Sequence, residues 1–181
     1  MTKSQIQKRI LQNGKPLEID KFEWDETTRT FSSNENRLVL DFRDMFGCTF
    51  ATESDCTFNT GYGCTFTTWD NCTFKTGSGC TFTTGSGCTF VVNNYSFPVP
   101  PLRFNGSRYF MEASGPDLIR SGCIEKPAKW WADNVRRCAE EHNYTPEQID
   151  EYELYVRLLI QWFDNYGNRI KKLDAAEKDG E

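Results

Sequence analysis

An eight-residue pattern of apolar and polar positions runs from Gly47 to Asn94. Each copy, as in Cys-Thr-Phe-x-Thr, alternates a small apolar, a polar, a large apolar and a polar residue. Three turn-forming residues follow, mostly Gly, Ser, Asp or Asn. Alternation with a period of two predicts a strand with one buried face, and the turn formers predict a tight corner. The β-branched threonines and recurring glycines disfavour a helix.

Stacked copies would bury a continuous core, because one such strand cannot cover its own apolar face. We prefer two units per coil, with facing strands running in opposite directions and each Phe opposite a Cys; three units per coil is the alternative. The predicted core consists of the repeated cysteines and phenylalanines: Cys48, Phe50, Cys56, Phe58, Cys64, Phe66, Cys72, Phe74, Cys80, Phe82, Cys88 and Phe90.

The flanking patterns predict a mainly β fold: a short β-solenoid with an N-terminal β cap and a C-terminal α+β module ending in two helices. The cap spans 1–39 and holds a short helix (capped by Ser4 and stopped by Gly14) or a strand. A hairpin follows, with Leu17, Ile19, Phe22, Trp24 and Phe31 alternating with polar residues. The remaining predicted segments are the solenoid at 40–94, a Pro-rich linker at 95–101, a β-meander plus two helices at 102–167, and a charged tail at 168–181.

Local signals refine the predicted segments. Leu40 and Phe42 stand eight residues before Cys48 and Phe50, which predicts a degenerate first unit. Asn105-Gly106 predicts a hairpin turn. Pro127 is expected at the first position of one helix, which carries Trp131, Val135 and Cys138 on one face. The second helix is expected to start at the Thr145 cap, with Gln148 three residues later, and to stop at Gly167.

Charge and cysteine content narrow the function classes. The net charge is −5 and no basic patch occurs, so direct nucleic-acid binding is disfavoured. Six of the eight cysteines occupy predicted core positions, and we expect reduced, buried thiols in a reducing compartment. No run is apolar enough for a transmembrane helix, and the start does not resemble a signal peptide.

Catalytic, cofactor and metal sites are not predicted. His142 is the single histidine, and neither C-x-x-C nor a Cys/His cluster occurs. Two large aromatic residues, Tyr62 and Trp69, stand at corner positions that elsewhere hold Gly or Ser. Such side chains can anchor a partner, or they can pack under the flanking hairpin or the terminal helices. An acidic cluster near the turn between the helices could meet a basic partner, or simply be a solvated face. The candidate partner contacts are therefore Tyr62, Trp69, Asp70, Glu140, Glu141, Glu147, Asp150 and Glu151.

The Gly-Cys-Thr-Phe-x-Thr-Gly-x unit resembles the octapeptide arrays of tailed-bacteriophage proteins, as do the lead-in ILQNGKPLEIDKFEWDETTRTFSSNENRLVLDF and the ending from RFNGSRYFMEASG to YTPEQIDEYELYVRLL. The unit also resembles that of pentapeptide-repeat proteins, with a spacing of eight in place of five, and this resemblance implies a four-sided coil as a third possible geometry. The phage resemblance implies a viral protein in the cytoplasm of an infected bacterium. We expect a non-enzymatic module that binds a host or viral protein, for example to inhibit a bacterial defence system. The alternatives are a structural or self-associating virion component and a mimic of duplex DNA.

Overall fold

The computed structural model describes residues 1–173 and divides the chain into two compact units. The first unit spans Met1–Asn93 and the second begins at Asn94. The first is a β-solenoid of about four turns, as the repeat predicts, and the second combines a small antiparallel sheet with two helices.

Two parallel sheets form the solenoid, and successive strands of the chain alternate between them. The first sheet contains β5 (Leu38–Phe42), β7 (Thr57–Thr60), β9 (Thr73–Thr76) and β11 (Thr89–Val92). The second contains β4 (Thr30–Ser32), β6 (Thr49–Ala51), β8 (Thr65–Thr67) and β10 (Thr81–Thr83).

One coil contains two octapeptides, as the preferred interpretation predicts. Phe58 is in register with Phe74, and Phe50 with Phe66, so equivalent residues repeat every sixteen positions. Like rings stack along each sheet: the Phe50 and Phe66 centroids are 5.2 Å apart with an interplanar angle of 10°. The coil of three units is therefore excluded.

The predicted pairing of Phe with Cys across the core is wrong. Phe58 meets Phe66 of the opposite sheet edge-on, with ring centroids 5.2 Å apart. From Cys56 to Cys80, the repeat cysteines instead lie beside the buried threonine at the end of the preceding repeat unit, as Cys64 does beside Thr60. Facing strands run in opposite directions, so the middle residue meets a middle residue and the first residue meets the fifth.

Most predicted core side chains are buried. Phe82 and Cys88, which lie in the last coil, are half-buried, and the other ten are at most 6% exposed. Phe82 belongs to β10, the terminal strand of its sheet, so no further phenylalanine of the array stacks on its outer face. The buried threonines Thr52, Thr60, Thr68 and Thr76 are additional core residues.

The first coil is longer than the repeat predicts. Leu40 is in register with Phe58, and Phe42 with Thr60, so Leu38 and Leu40 replace Cys and Phe. The predicted alignment of Leu40 and Phe42 with the Cys and Phe positions is therefore wrong by two residues. Phe31, in β4, is paired with Phe50, so the parallel stacking begins before residue 40.

Antiparallel strands cover the N-terminal edge of both sheets. The segments are helix α1 (Lys3–Gln7), β1 (Ile10–Gln12), β2 (Lys15–Pro16) and β3 (Glu23–Asp25). Strand β1 pairs with β5, and β3 forms the predicted hairpin with β4. The N-cap of α1 is Thr2, and the helix ends before Gly14, so the predicted cap and stop are wrong. Ile19 is exposed in a short 3₁₀ turn and does not join the hairpin core.

The second unit contains a four-stranded antiparallel meander, as predicted. Its strands are β13 (Arg103–Asn105), β14 (Phe110–Gly115), β15 (Leu118–Ser121) and β16 (Ile124–Pro127). The turn after Asn105 is a four-residue loop, since Asn105 pairs with Phe110. Part of the predicted linker is instead β12 (Tyr95–Phe97), which pairs with β17 (Lys171–Lys172).

Two helices complete the second unit. Pro127 is the N-cap of helix α2 (Ala128–Glu141). It was predicted at the first helical position, which Ala128 occupies instead. Helix α3 (Pro146–Tyr166) begins with the predicted capping box, and its C-cap is Gly167. Tyr152, Val156 and Leu159 pack with Trp131 and Val135 of α2 on the meander. Within residues 1–173, neither helix is long and apolar enough to span a membrane. The predicted charged tail beyond residue 173 lies outside the described residues.

Candidate interaction surface

Three side chains form an exposed stack along one corner of the solenoid, which we call the corner stack: Arg29, Phe46 and Tyr62. The rings of Phe46 and Tyr62 are parallel within 2°, with centroids 5.2 Å apart. Arg29 lies over the other face of Phe46, with its guanidinium carbon 5.1 Å from the ring centroid. Phe46 is 47% exposed and Tyr62 is 58% exposed. A large aromatic surface with a cation at one end is therefore open to solvent.

The sixteen-residue coil creates this stack. Phe46 and Tyr62 occupy the same corner position in successive coils, and Gly47 N donates to Tyr62 O across 3.1 Å. Gly61 precedes Tyr62 where the chain passes the Met45 carbonyl, and a Cβ at Gly61 would overlap that oxygen. Arg29 Nη1 also donates to Phe46 O at 3.1 Å, which holds the guanidinium against the corner. The stack is thus built on a rigid backbone ladder.

The other two corner candidates lie on the opposite corner. Trp69 is 62% exposed, and its side chain is available to a partner. Asp70 has an internal role, because its Oδ1 accepts from the backbone N of Ser86 at 2.7 Å and from the Ser86 hydroxyl at 3.2 Å. Tyr62 and Trp69 therefore do not form one patch.

The acidic candidates near the turn between the helices lie in the second unit and are largely engaged with neighbouring groups. Arg136 binds Glu153 at 2.8 Å and lies 3.5 Å from Asp150. Glu141 pairs with Arg137 at 3.4 Å. These ion pairs reduce the negative field that a phosphate mimic would need.

Two further acidic candidates support local structure. Glu151 accepts a hydrogen bond from Ser107 N at 3.0 Å and another from the Tyr155 hydroxyl at 2.8 Å. Glu147 lies in the first turn of α3, where its own backbone N–H and Thr145 lower its pKa. Glu140 is exposed on α2. The candidates share a region of sequence without forming a continuous acidic surface.

The repeat thiols are free. Hydrogen bonds between thiols of successive coils lower the pKa of Cys56 and Cys64 and raise the pKa of their partners. The hydrogen bond with Cys64, followed by burial, raises the pKa of Cys48 and of Cys80 far above the usual range. Burial raises the pKa of Cys88. Raised pKa values keep a thiol protonated, and a protonated thiol is a poor nucleophile. Within residues 1–173, no group of three or more His, Cys, Asp or Glu side chains could hold a metal ion.

Comparison with known proteins adds no relative from which a role could be transferred. Neither the protein-family models, nor the curated proteins, nor the solved structures contain a match to this chain. The geometry of the corner stack therefore carries the functional argument.

Sequence reasoning missed two members of the corner stack. Phe46 precedes the first Gly-Cys-Thr-Phe unit and is separated from Tyr62 by sixteen residues, so the spacing could have paired them once the coil length was known. Arg29 gives no such signal. The first coil is longer than sixteen residues, so Arg29 does not lie sixteen residues before Phe46.

Proposed function

We propose that this chain is a non-enzymatic protein-binding module whose corner stack is the docking site. Its partner is a host or viral protein, and inhibition of a bacterial defence system is the role that the phage resemblance favours. The exposed parallel stack of Phe46 and Tyr62, held by Arg29, is the observation that carries the proposal.

Physical chemistry supports a protein as the partner. Tyr and Arg are enriched among the residues that dominate binding energies, and aromatic rings bury much area at little entropic cost. The stacked rings are already ordered in the free chain, which lowers the cost of binding. A fitting partner surface would place an apolar side chain on the rings and a carboxylate near the Arg29 guanidinium.

The ion pairs of the second unit weigh against duplex mimicry. Arg136 and Arg137 neutralise carboxylates that would otherwise stand in for phosphates. The competing proposal is a virion component or a self-associating module. The identity of the captured proteins distinguishes it from the docking proposal.

The test is affinity capture from an infected bacterial lysate with a nuclease treatment, followed by mass spectrometry. The tagged wild-type chain is compared with a Phe46→Ser/Tyr62→Ser double variant. We expect one stoichiometric partner that survives the nuclease and is lost with the double variant. A Leu154→Ser variant is the matched control, because Leu154 is an exposed apolar side chain on α3 and lies outside the stack.

Three outcomes would contradict the proposal. Equal capture by the double variant would show that the stack is not the docking site. Capture of capsid or tail proteins, or of the chain itself alone, would favour the structural role. Loss of the partner on nuclease treatment would show that nucleic acid mediates the contact.

A further inference from the structure

A half-open cavity of about 150 Å³ lies in the second unit, beside the meander and α2. Its walls are largely apolar and aromatic, with Trp131 and Val135 on the α2 side and Ile124 on the meander side. Tyr109, Tyr144 and Tyr152 also line it. Small-molecule sites are typically concave and lined mainly by apolar and aromatic side chains, and this recess has both properties.

Small residues on facing elements create the space. Ala139 and Cys138 line it from α2, and Gly122 and Cys123 line it from the β15–β16 turn. Larger apolar residues at Ala139 or Cys138 would project into the cavity. The space is therefore built into the sequence at positions where a purely structural core could have been filled.

Two polar side-chain groups of the cavity wall are already hydrogen-bonded to the backbone. The Tyr152 hydroxyl accepts from Tyr109 N and donates to Tyr109 O, each at 2.6 Å. Trp131 Nε1 donates to Ile119 O at 2.9 Å. A bound water needs two to four polar partners, so these apolar walls favour an organic occupant over water.

His142 supplies one hydrogen-bond acceptor to the cavity. Its Nδ1 lies 2.8 Å from Cys138 O. A carbonyl oxygen only accepts, so Nδ1 carries the proton, and Nε2 of the neutral ring is left as an acceptor. His142 lines the cavity and its side chain is exposed.

We propose that this cavity binds a small planar aromatic molecule with one hydrogen-bond donor. A cavity of roughly 150 Å³ accommodates a benzene-sized ring. The surrounding rings offer the stacked and edge-on contacts that aromatic groups prefer. His142 then selects ligands with a hydroxyl or N–H group over purely apolar ones. This site is independent of the corner stack and of its proposed protein partner.

Phenol is the test probe, and toluene is its counterpart without a donor. Both are titrated into the full-length ¹⁵N-labelled chain by NMR, with the Trp131 indole N–H as the reporter. We expect both to shift this signal in the wild-type chain, with phenol bound at least fivefold more tightly. His142→Ala should reduce phenol affinity to that of toluene and leave toluene unaffected.

A cavity-filling variant tests the location. Ala139→Leu should weaken phenol binding at least tenfold, while Ala132→Leu, at an exposed position of the same helix, should bind like the wild type. Thermal unfolding checks that the variants fold, and Cys138→Leu replaces Ala139→Leu if the latter does not. Absence of binding to the wild type, or unchanged binding by the filled variant, would overturn the proposal. Equal affinities for phenol and toluene would overturn the role of His142.

Discussion

At the scale of single residues, the solenoid core depends on rings that touch rings. Phe66 stacks on Phe50 and Phe82 along its own sheet and meets Phe58 and Phe74 edge-on. The Phe66 ring is therefore held from four sides, in the stacked and edge-to-face geometries that aromatic pairs prefer. Removing one central ring leaves a cavity that its neighbours cannot easily fill, because they are themselves held in stacks.

We predict that Phe66→Ala lowers the free energy of unfolding by about 3–5 kcal/mol, the usual cost of deleting a buried Phe. Urea unfolding followed by circular dichroism measures it. Phe82→Ala is the matched control: the same substitution at a half-buried ring of the last coil should cost clearly less. Equal costs at the two positions would contradict the assignment of Phe66 to the centre of the core.

Thiol reactivity provides a second prediction at this scale. Iodoacetamide at pH 8 should alkylate the exposed Cys123 first and leave Cys48, Cys72 and Cys80 unmodified in the native chain. Burial hides these three thiols, and their raised pKa values keep the reactive thiolate scarce. Peptide mapping gives the order. Labelling of the three core thiols as fast as Cys123 would show that the interior is accessible.

At the scale of elements, local signals predicted some structures and missed others. The capping box at Thr145 and Gln148 predicted the start of α3 correctly, because cap, proline and hydrogen-bonding side chain are neighbours in sequence. Strand β12 was missed, because its partner β17 lies more than seventy residues away and the local prolines resemble a linker. The first coil was misaligned by two residues, because Phe42 and Leu40 are both apolar and either fits the alternation.

We predict that Thr145→Ala destabilises the second unit by about 1 kcal/mol, because α3 loses a side-chain acceptor for its first-turn amides. In the native chain Thr145 Oγ1 accepts from Gln148 N, and Gln148 Oε1 accepts from Thr145 N at 3.0 Å. Urea unfolding followed by tryptophan fluorescence measures the change. Thr145→Ser retains the hydroxyl and should remain within a few tenths of a kcal/mol of wild type. A similar loss of stability in both variants would mean that the Thr145 methyl group, and not its hydroxyl cap, stabilises the helix.

At the scale of the whole molecule, the repeat predicted the solenoid but not the surface that we propose for docking. Alternation placed Cys and Phe inside, and this required only the local period. The corner stack depends on which residues lie sixteen apart, together with Arg29 from the irregular first coil, and so needs the coil length and register. The cavity in the second unit depends on non-local packing of α2 and the meander, which no single segment indicates.

The sixteen-residue coil is the central claim, because it sets the core and brings Phe46 beside Tyr62. Engineered disulfides test it most directly, since neighbouring strands lie about 4.8 Å apart and that distance permits a disulfide. One variant carries Phe46→Cys with Tyr62→Cys, sixteen residues apart. The other carries Phe46→Cys with Asp70→Cys, which are twenty-four apart and would be neighbours in a coil of three units.

Both variants are equilibrated in a glutathione redox buffer and mapped by mass spectrometry. The account predicts a 46–62 disulfide in the first variant and no 46–70 disulfide in the second. Formation of the 46–70 bond without the 46–62 bond would contradict the two-unit coil, and the corner stack would be lost with it.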